Sequence, residues 1–381
     1  MGPLAGITIV ELAGIGPGPM CAMLLADLGA EIIRVERLGD SGLGLPLDRK
    51  FALTTRGRKS IALDLKRPEA IEAVLRLVEK ADGLIEGFRP GVMERLGLGP
   101  DVCLRRNPRL VFGRMTGFGQ DGPLAQAAGH DINYIALTGA LHAIGRKDEK
   151  PVPPLNIVGD FGGGSLYLAL GLVSAILRAK LTGEGDVVDA AIVDGTASLM
   201  TMFSGLAAAN RWVPERGANI LDSGAPWYDV YQTKCGGYFA VGAIEPKFFK
   251  ILANKIGLDD EDVQRQNDKN HWPQLRANLT RVFLSKTRDQ WSEILEGTDA
   301  CATPVLSLLE APLHPHMAAR NVFAENAGIV QPQAAPRFKK AGAPKLSPPN
   351  TQAGADTREL LASCGYAEAD ITAMQANGIA L

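Results

Sequence analysis

The sequence predicts an α/β fold: a doubly wound, Rossmann-like large domain with a mostly parallel sheet, accompanied by a smaller α+β domain. Three observations predict it. Strand-like and helix-like segments alternate through the first part of the chain, as in successive βαβ units. The length of 381 residues exceeds that of an ordinary single domain. Beyond residue 227, short strand-like runs mix with helical segments instead of alternating with them.

The elements of the large domain follow from local patterns. Two apolar strand-like runs flank the first helical segment, and an amphipathic helix with proline in its first turn builds the next unit. The predicted strands are Ile7–Leu12, Glu31–Glu36, Ser60–Leu63, Gly83–Glu86, Leu110–Met115 and Val187–Ala190. The predicted helices are Met20–Leu28, Pro68–Lys80, Leu166–Leu177 and a stretch from Val193 to about Asn210. Ligands of such a sheet bind at the carboxyl ends of its strands.

Changes of composition divide the chain into parts. We assign residues 1–215 to the N-terminal part of the large α/β domain and residues 226–323 to the small α+β domain. Residues 324–356 are rich in Pro, Ala, Gln and Gly, and we predict that they form an irregular linker that returns the chain. Residues 357–381 then complete the large domain. The predicted elements of the last three parts are the strand Tyr238–Val241 and the helices Lys247–Ile256, Trp272–Phe283, Gln290–Leu295 and Thr357–Cys364.

The charge balance argues against a nucleic-acid or membrane partner. The 40 Lys and Arg residues nearly match the 42 Asp and Glu residues, so any anion site must be local. The five cysteines are scattered without a C-x-x-C pair, and we expect free thiols in a reducing compartment. The residues around the first strand-like run lack the basic flank and apolar block of a secretory signal, so we expect none, and the apolar helix 166–177 is shorter than a membrane span. We therefore expect a cytoplasmic protein in which 166–177 is a buried core helix.

Three familiar kinds of site lack their motifs. The loop Gly14–Pro19 has no G-x-G-x-x-G spacing, and its two prolines remove amides that a pyrophosphate would need, which argues against a nicotinamide site. His314 and His316 lie in a proline-containing segment without a third ligand, so no metal is expected. Ser165 does not stand in the G-x-S-x-G motif of serine hydrolases.

Two ionisable residues in glycine-rich surroundings are candidates for acid/base chemistry. His130 follows a glycine at a predicted helix start, but an isolated histidine is more often structural, so a catalytic interpretation needs a partner. Asp160 is a candidate partner, because it lies between apolar residues and a run of three glycines. A helix N-cap would explain the carboxylate alone, whereas close approach of a ligand to the backbone would also explain the glycines.

Six blocks of sequence carry a resemblance to a known family. The blocks are V-E-L-A-G-I-G-P-G-P at 10–19, Gly129–Tyr134, Leu155–Gly164, D-S-G-A-P at 222–226, V-G-A-I-E-P at 241–246 and D-A-C-A-T-P-V at 299–305. Through them the chain resembles, over nearly its whole length, the α-methylacyl-CoA racemases of the family III CoA-transferase superfamily. It departs from the family pattern at Ser223, where glycine is common, and in residues 324–356, which match weakly.

The resemblance implies a role for each candidate residue. His130 and Asp160 would be the acid and the base, and Glu245 would orient His130. Asn156 would lie beside Asp160, and the backbone amide of Asp131 would contact the thioester oxygen. The side chains implied to contact coenzyme A are Arg37, Lys66, Arg89, Arg95 and Tyr134. The resemblance also implies an interlocked homodimer of the family III type, in which each chain threads through its partner.

The activity implied is that of an isomerase of fatty acid and lipid metabolism, which interconverts the R and S forms of 2-methylacyl-CoA thioesters by 1,1-proton transfer through an enolate. Inversion needs one group on each face of the α-carbon, one protonated and one not. An imidazole and a carboxylate can hold this divided state near neutral pH. No metal or redox cofactor is expected, since coenzyme A is part of the substrate. The preferred acyl chain stays open.

Two other functions remain as alternatives. A CoA transferase of the same superfamily would use Asp160 as a nucleophile that forms a covalent anhydride. That function would leave the block around His130, and also Glu245, without a role. A non-catalytic acyl-CoA carrier would give no reason to place two ionisable groups together.

Overall fold

A computed structural model describes residues 2–39, 42, 44, 46–342 and 345–381 of the chain. Its strands are β1 (Thr8–Leu12), β2 (Glu31–Glu36), β3 (Arg58–Ala62), β4 (Gly83–Glu86), β5 (Val111–Thr116), β6 (Asp186–Ala191), β7 (Tyr228–Gln232), β8 (Tyr238–Gly242), β9 (Ala302–Val305), β10 (Phe323–Asn326) and β11 (Ile329–Pro332). Its helices are α1 (Pro17–Asp27), α2 (Pro68–Lys80), α3 (Val92–Arg95), α4 (Pro100–Arg106), α5 (Asp131–Leu137), α6 (Ala140–Ala143), α7 (Leu166–Thr182), α8 (Ile192–Leu199), α9 (Thr201–Ala208), α10 (Pro246–Ile256), α11 (Asp260–Gln264), α12 (Trp272–Phe283), α13 (Arg288–Leu295), α14 (Pro315–Ala319), α15 (Thr357–Ser363) and α16 (Glu368–Ala376). A π-helical segment, Ile157–Ser165, leads directly into α7.

The central sheet contains six strands in the order β3-β2-β1-β4-β5-β6. Every neighbouring pair in it is parallel. From β1 the chain proceeds outward to β3 and then returns to β4 on the other side of β1, so the strand order reverses between β1 and β4. The predicted α/β fold with a parallel sheet is confirmed, and β2, β4 and α2 have the predicted bounds.

Apolar side chains cover both faces of this sheet, because successive residues of a strand point to opposite faces. One core cluster joins β1 and β4 to α2, α15 and α16, and a second joins the same strands to α1 and α7. Helix α2 illustrates the local cause: Ala70, Val74 and Val78 recur at helical spacing and are fully buried. Pro68 begins the helix, where its missing N–H costs no helical hydrogen bond.

The chain divides into two compact units. The first consists of the residues up to Thr138, Leu155–Met200 and Asn321–Leu381, and it contains the central sheet. The second consists of Gly139–Pro154 and Thr201–Arg320. Its antiparallel sheet has the order β7-β8-β9. Large buried aromatic side chains fill its core, namely Trp227, Phe239, Phe249, Phe283 and Trp291.

The boundaries of these units differ from the sequence-based ones at residues 139–154, 201–215 and 321–323. The first two segments, assigned above to the large domain, belong to the second unit, whereas residues 321–323, assigned to the small domain, belong to the first. The guanidinium of Arg146 binds the buried carboxylate of Asp229, and Arg216 donates to two carbonyl groups of the 139–154 segment. These partners are far apart in the sequence, so local patterns do not reveal them.

The segment 324–356, predicted to be irregular, includes most of an antiparallel hairpin formed by β10 and β11. Arg56, which is 3% exposed, holds this hairpin. Its Nη1 atom donates to Oε1 of Gln331 at 2.8 Å and to the carbonyl of Pro332 at 3.1 Å. Its Nε and Nη2 atoms donate to the carboxylate of Asp27 at 3.1 and 2.5 Å. A buried guanidinium needs such partners, because burial of an unpaired charge is strongly unfavourable.

The apolar helix is longer than predicted and is buried on one side only. Residues 157–182 form a continuous helical segment of 26 residues, which is long and apolar enough to cross a membrane by length and composition alone, and 33% of its most apolar part is buried. Leu168, Leu172 and Ile176 pack in a core cluster of the first unit, as in the core helix of a globular domain. The exposed side carries an apolar row, here termed the α7 stripe: Leu166, Leu170, Val173, Leu177 and Leu181.

Candidate active site

The candidate site lies at the carboxyl edge of the central sheet, where the strand order reverses. This is the position at which doubly wound sheets bind ligands. Gly16 ends the loop between β1 and α1 and has a φ of 67°, a conformation that favours glycine. A Cβ atom at Gly16 would lie 3.3 Å from Oδ2 of Asp160. The loop Gly14–Pro19, which was considered above as a dinucleotide motif, therefore packs beside the Asp160 carboxyl group.

Asp160 lies inside the π-helical segment and not at a helix N-cap. Such segments are rare and occur frequently at functional sites. The glycines around Asp160 pack against neighbouring helices: Cβ atoms at Gly159 and Gly163 would lie 2.5 Å from Oδ2 of Asp131 and 2.4 Å from Oγ1 of Thr196. Close packing within the protein therefore accounts for these two glycines, and the approach of a ligand to this backbone stays a prediction.

The first turn of α5 carries His130 and Asp131. His130 is the N-cap residue, its side chain is exposed, and its backbone N–H donates to Oδ1 of Asn133 at 3.0 Å. Asp131 is only 5% exposed. Its Oδ2 atom accepts the backbone N–H of Asp160 at 2.7 Å. This hydrogen bond joins the start of α5 to the π-helical segment.

The Asp160 carboxyl group has a pKa above its ordinary value, because burial disfavours the charged form. Asn156 donates to Oδ2 of Asp160 at 3.4 Å and lowers the pKa. The charge of Asp131 raises the pKa, whereas the charge of His130 lowers it, so both groups lie within electrostatic range. The structure thus brings His130, Asp131, Asn156 and Asp160 into one site, while their chemical roles stay predictions.

Tyr134 supports the backbone that precedes His130. Its ring contacts the Phe118 ring edge to face, with 4.9 Å between centroids, and its hydroxyl donates to the carbonyl of Gly129. Burial and the nearby carboxylates raise the pKa of Tyr134. The hydroxyl is therefore protonated at neutral pH and bonded within the protein, and its predicted contact with the coenzyme stays a prediction.

The four cations predicted to bind coenzyme A lie beyond the carboxyl ends of the strands. Arg37 directly follows β2, Lys66 comes after β3 and Arg89 comes after β4. Arg95 ends α3, and a Cβ atom at Gly91 would lie 3.1 Å from its Nη1 atom. All four residues are exposed. Because the strands are parallel, these positions share one edge of the sheet with Asp160.

Two ion pairs of Arg114, one of them buried, anchor the turn after β4 together with α3. Arg114 of β5 donates to Oε1 of Glu86 at 3.1 Å and to Oε1 of Glu94 at 2.9 Å. The other oxygen of Glu86 accepts the backbone N–H of Phe88 at 2.7 Å. Burial raises the pKa of Glu86 to about 7, although Arg114 and the Phe88 amide favour its charged form. This network fixes the backbone that carries two of the four cations.

Known proteins resemble this chain over nearly all of its length. The sequence profile of CoA-transferase family III matches residues 4–357. The chain is 42% identical over 377 residues to the alpha-methylacyl-CoA racemase of Mus musculus, covering 99% of this chain and 97% of the relative. Identity to the alpha-methylacyl-CoA racemase of Homo sapiens is 41% over 381 residues, with the same coverage of 99% and 97%. The chain belongs to CoA-transferase family III. The resemblance predicted from the six blocks is thereby confirmed.

A solved structure supports the fold of this family III chain. The crystal structure of a CAIB/BAIF family protein from Brucella suis matches it with a TM-score of 0.81 at 27% sequence identity. The match covers 95% of this chain and 99% of that one. The parallel six-stranded sheet is therefore shared between the two proteins.

Glu245 of the family III chain lies in the second unit, as the N-cap residue of α10. The backbone before it is fixed by the buried side chain of Gln266. Its Nε2 atom donates to the carbonyls of Ala243 and Ile244 at 3.1 and 3.0 Å. The structure thus gives Glu245 a defined local position, and its pairing with His130 stays a prediction.

Metal-binding clusters are not found in the described part of the family III chain: no group of three or more His, Cys, Asp or Glu side chains there could hold a metal ion. His314 is engaged elsewhere, since its Nε2 atom contacts Oε1 of Glu296 at 2.8 Å and its Nδ1 atom accepts the backbone N–H of His316. All five cysteines are free thiols.

Two features of the site escaped the sequence analysis. One is the packing of Gly16 beside the Asp160 carboxyl group, and the other is the hydrogen bond between the Asp131 carboxylate and the Asp160 amide. For the Asp131 contact the sequence contains only an indirect indication, namely that Asp131 directly follows the candidate residue His130. Nothing local indicates that its side chain reaches a residue 29 positions away.

Proposed function

We propose that this family III protein is a racemase that interconverts the R and S forms of 2-methylacyl-CoA thioesters, with His130 and Asp160 as the acid/base pair. The observation that carries the proposal is that an exposed imidazole and a half-buried carboxyl group lie within electrostatic range at the carboxyl edge of the sheet. Burial favours the protonated carboxyl group. One proton can therefore reside on either member of the pair.

The reaction consists of two proton transfers. The unprotonated member of the pair takes the α-proton, and the electron pair of the broken C–H bond moves into an enolate. The protonated member then gives its proton to the opposite face of the same carbon. The backbone N–H of Asp131 lies in the first turn of α5, where helices leave their amides without intrahelical acceptors. A donor of this kind stabilises the enolate oxygen by about 3 kcal/mol.

Coenzyme A binds, in this proposal, through Arg37, Lys66, Arg89 and Arg95, with Tyr134 nearby. Fixed cations at one edge of the sheet suit the phosphate groups of the coenzyme. Exchange of a proton next to a thioester involves no electron or hydride transfer, so the proposal includes no cofactor beyond the coenzyme A of the substrate.

The proposal includes a homodimer, in the interlocked form that the family resemblance implies. The α7 stripe supports self-association, because an exposed row of large apolar side chains on one helix is normally covered by another surface. Glu245 would then orient His130 in a site completed by two chains. The monomer would lack racemase activity.

The decisive experiment is incubation of the enzyme with a single enantiomer of a 2-methylacyl-CoA in heavy water. We expect deuterium at the α-carbon and loss of optical purity at comparable rates. Binding without either change would indicate a carrier. The CoA transferase alternative predicts instead that an added carboxylic acid receives CoA and that hydroxylamine traps an anhydride at Asp160.

A further inference from the structure

The side chain of Asp131 has no assigned role in the reaction, because only its backbone amide is implied to meet the thioester. Yet this carboxylate is 5% exposed and lies directly beside Asp160. Its Oδ2 atom accepts the Asp160 N–H at 2.7 Å, whereas its buried Oδ1 atom has no hydrogen-bond partner. Burial of a carboxylate with one oxygen unpaired is unfavourable, so the buried position of the Asp131 carboxylate needs a physical explanation.

The Asp131 carboxylate lies tightly against the backbone of Gly159. A Cβ atom at Gly159 would lie 2.5 Å from Oδ2 and 2.8 Å from both Cγ of Asp131 and Cγ2 of Ile135. Glycine at 159 is therefore what allows the π-helical segment to approach α5 closely enough for the hydrogen bond. The contact fixes the backbone that carries the Asp160 carboxyl group.

We propose that the Asp131 side chain is a positioning residue with two effects on Asp160: its carboxylate holds the π-helical segment in place, and its negative charge helps Asp160 to retain a proton. This inference rests on the proposed racemase function. A racemase needs a carboxyl group that is protonated in one half of its cycle, and a like charge nearby opposes ionisation. An oxygen without a partner keeps that charge unneutralised.

The other groups that face Asp160 do not replace this effect. On α5 they are His130, which favours the charged form of Asp160, and Tyr134, whose hydroxyl is bonded to a backbone carbonyl. On the π-helical side, Asn156 also favours the charged form. The loop before α1 contributes Gly16, which has no charge. Helix α8 carries Asp194, which is exposed and is not among the groups that shift Asp160.

The test compares two substitutions at one position. Asp131→Asn retains an oxygen acceptor for the Asp160 amide but removes the charge, whereas Asp131→Ala removes both. For each variant we would measure kcat/KM for racemisation against pH and amide hydrogen exchange in residues 157–165. Asp194→Asn is the matched control, since it removes the same charge from a neighbouring helix.

The sign of the pH effect follows from the chemistry. Racemisation requires one proton on the pair and is lost at low pH, where both members are protonated. Removal of the Asp131 charge lowers the pKa of Asp160, so in Asp131→Asn the acidic limb of the profile should move down by about 1 pH unit. Asp194→Asn should leave it unchanged. Amide protection of residues 157–165 should persist in Asp131→Asn and fall in Asp131→Ala, with about 10²-fold lower kcat/KM in the latter.

An unchanged acidic limb in Asp131→Asn, in an enzyme whose wild type racemises its substrate, would overturn the inference and leave the proposed function intact. Unchanged protection of residues 157–165 in Asp131→Ala would overturn it as well. A wild-type enzyme without racemisation would instead refute the proposed function. Should Asp131→Ala fail to fold, the pH profile of Asp131→Asn still decides the question.

Discussion

At the scale of single residues, the candidate chemistry depends on two groups in different environments. The Asp160 carboxyl group is half-buried among helices, so that its charged form loses hydration, whereas the His130 side chain remains exposed at the start of α5. The state in which the carboxyl group and the imidazole are both neutral is therefore closer in free energy to the ion-paired state than it would be in water. A racemase requires this near balance, because each group must act as acid in one direction and as base in the other.

The first prediction separates these two groups. His130→Ala and Asp160→Asn should each lower racemisation by roughly 10²- to 10⁴-fold, since a positioned acid or base is lost. Each variant should still exchange the α-hydrogen of the enantiomer that the remaining group faces. Exchange in heavy water, measured separately for both enantiomers, should therefore show opposite preferences in the two variants. The same preference in both, or racemisation without His130, would contradict the two-base mechanism.

The second prediction concerns the cations at the carboxyl edge of the sheet. Alanine at Arg37, Lys66, Arg89 or Arg95 should raise KM for the acyl-CoA about tenfold or more with a smaller change in kcat, because contacts with phosphate bind substrate and transition state alike. Arg109→Ala is the control, since Arg109 is exposed and precedes β5 at the opposite edge. Normal KM with strongly reduced kcat in the four variants would contradict the assignment.

At the scale of elements, the π-helical segment carries the candidate residue Asp160 and packs closely against helix α8. Its residue Gly163 faces Thr196 of α8, and Gly195 of α8 in turn faces the Gly163 backbone. Mutual close approach of this kind requires residues without side chains on both elements. The position of Asp160 is therefore determined by helix packing as well as by its own hydrogen bonds.

The third prediction tests this packing with two glycines of helical segments. Gly163→Ala should destabilise the protein by about 1–3 kcal/mol, because the new methyl group would lie 2.4 Å from Oγ1 of Thr196. Gly205→Ala should leave stability unchanged or raise it by up to about 1 kcal/mol, since its Cβ meets nothing within 4 Å. Chemical denaturation of both variants provides the comparison. Equal stabilities would show that the π-helical segment relaxes away from α8.

At the scale of the whole molecule, α7 carries a row of large apolar side chains that the described residues of one chain leave exposed. The helix is apolar on both sides, but only one side packs in a core cluster. Helices that are apolar all round are normally buried. The α7 stripe is therefore the surface on which we expect a second copy of the chain to pack.

The fourth prediction follows from this expectation. Leu170→Asp or Leu177→Asp should weaken the homodimer at least about tenfold, because a carboxylate would replace an apolar side chain that the proposed dimer buries. Racemase activity should fall in parallel if two chains complete each site. Leu308→Asp is the control, since Leu308 is 92% exposed and lies outside the stripe. Sedimentation velocity of the three variants tests this, and an intact dimer in both α7 variants would refute the role of the stripe.

The sequence by itself determined the class of fold, most of its elements and the family. Alternating apolar runs and an amphipathic repeat such as that of α2 are local signals, so the parallel sheet could be predicted from them. The sequence also predicted His130 and Asp160 as the candidate acid/base pair, through glycine-rich surroundings and the blocks shared with the family, and the structure brings the two residues into one site. All of these patterns are local, and a single sequence directly shows only local patterns.

Only the tertiary structure decided which distant residues meet. The Asp131 carboxylate contacts the Asp160 amide, Arg146 binds Asp229, and Arg56 clamps a hairpin in the segment predicted to be irregular. The π-helical form of the Asp160 segment likewise depends on packing, because its glycines are explained by neighbouring helices and not by local propensity. Each of these contacts arises when elements close on one another, and their free energy depends on the burial and distance of partners that lie far apart in the chain.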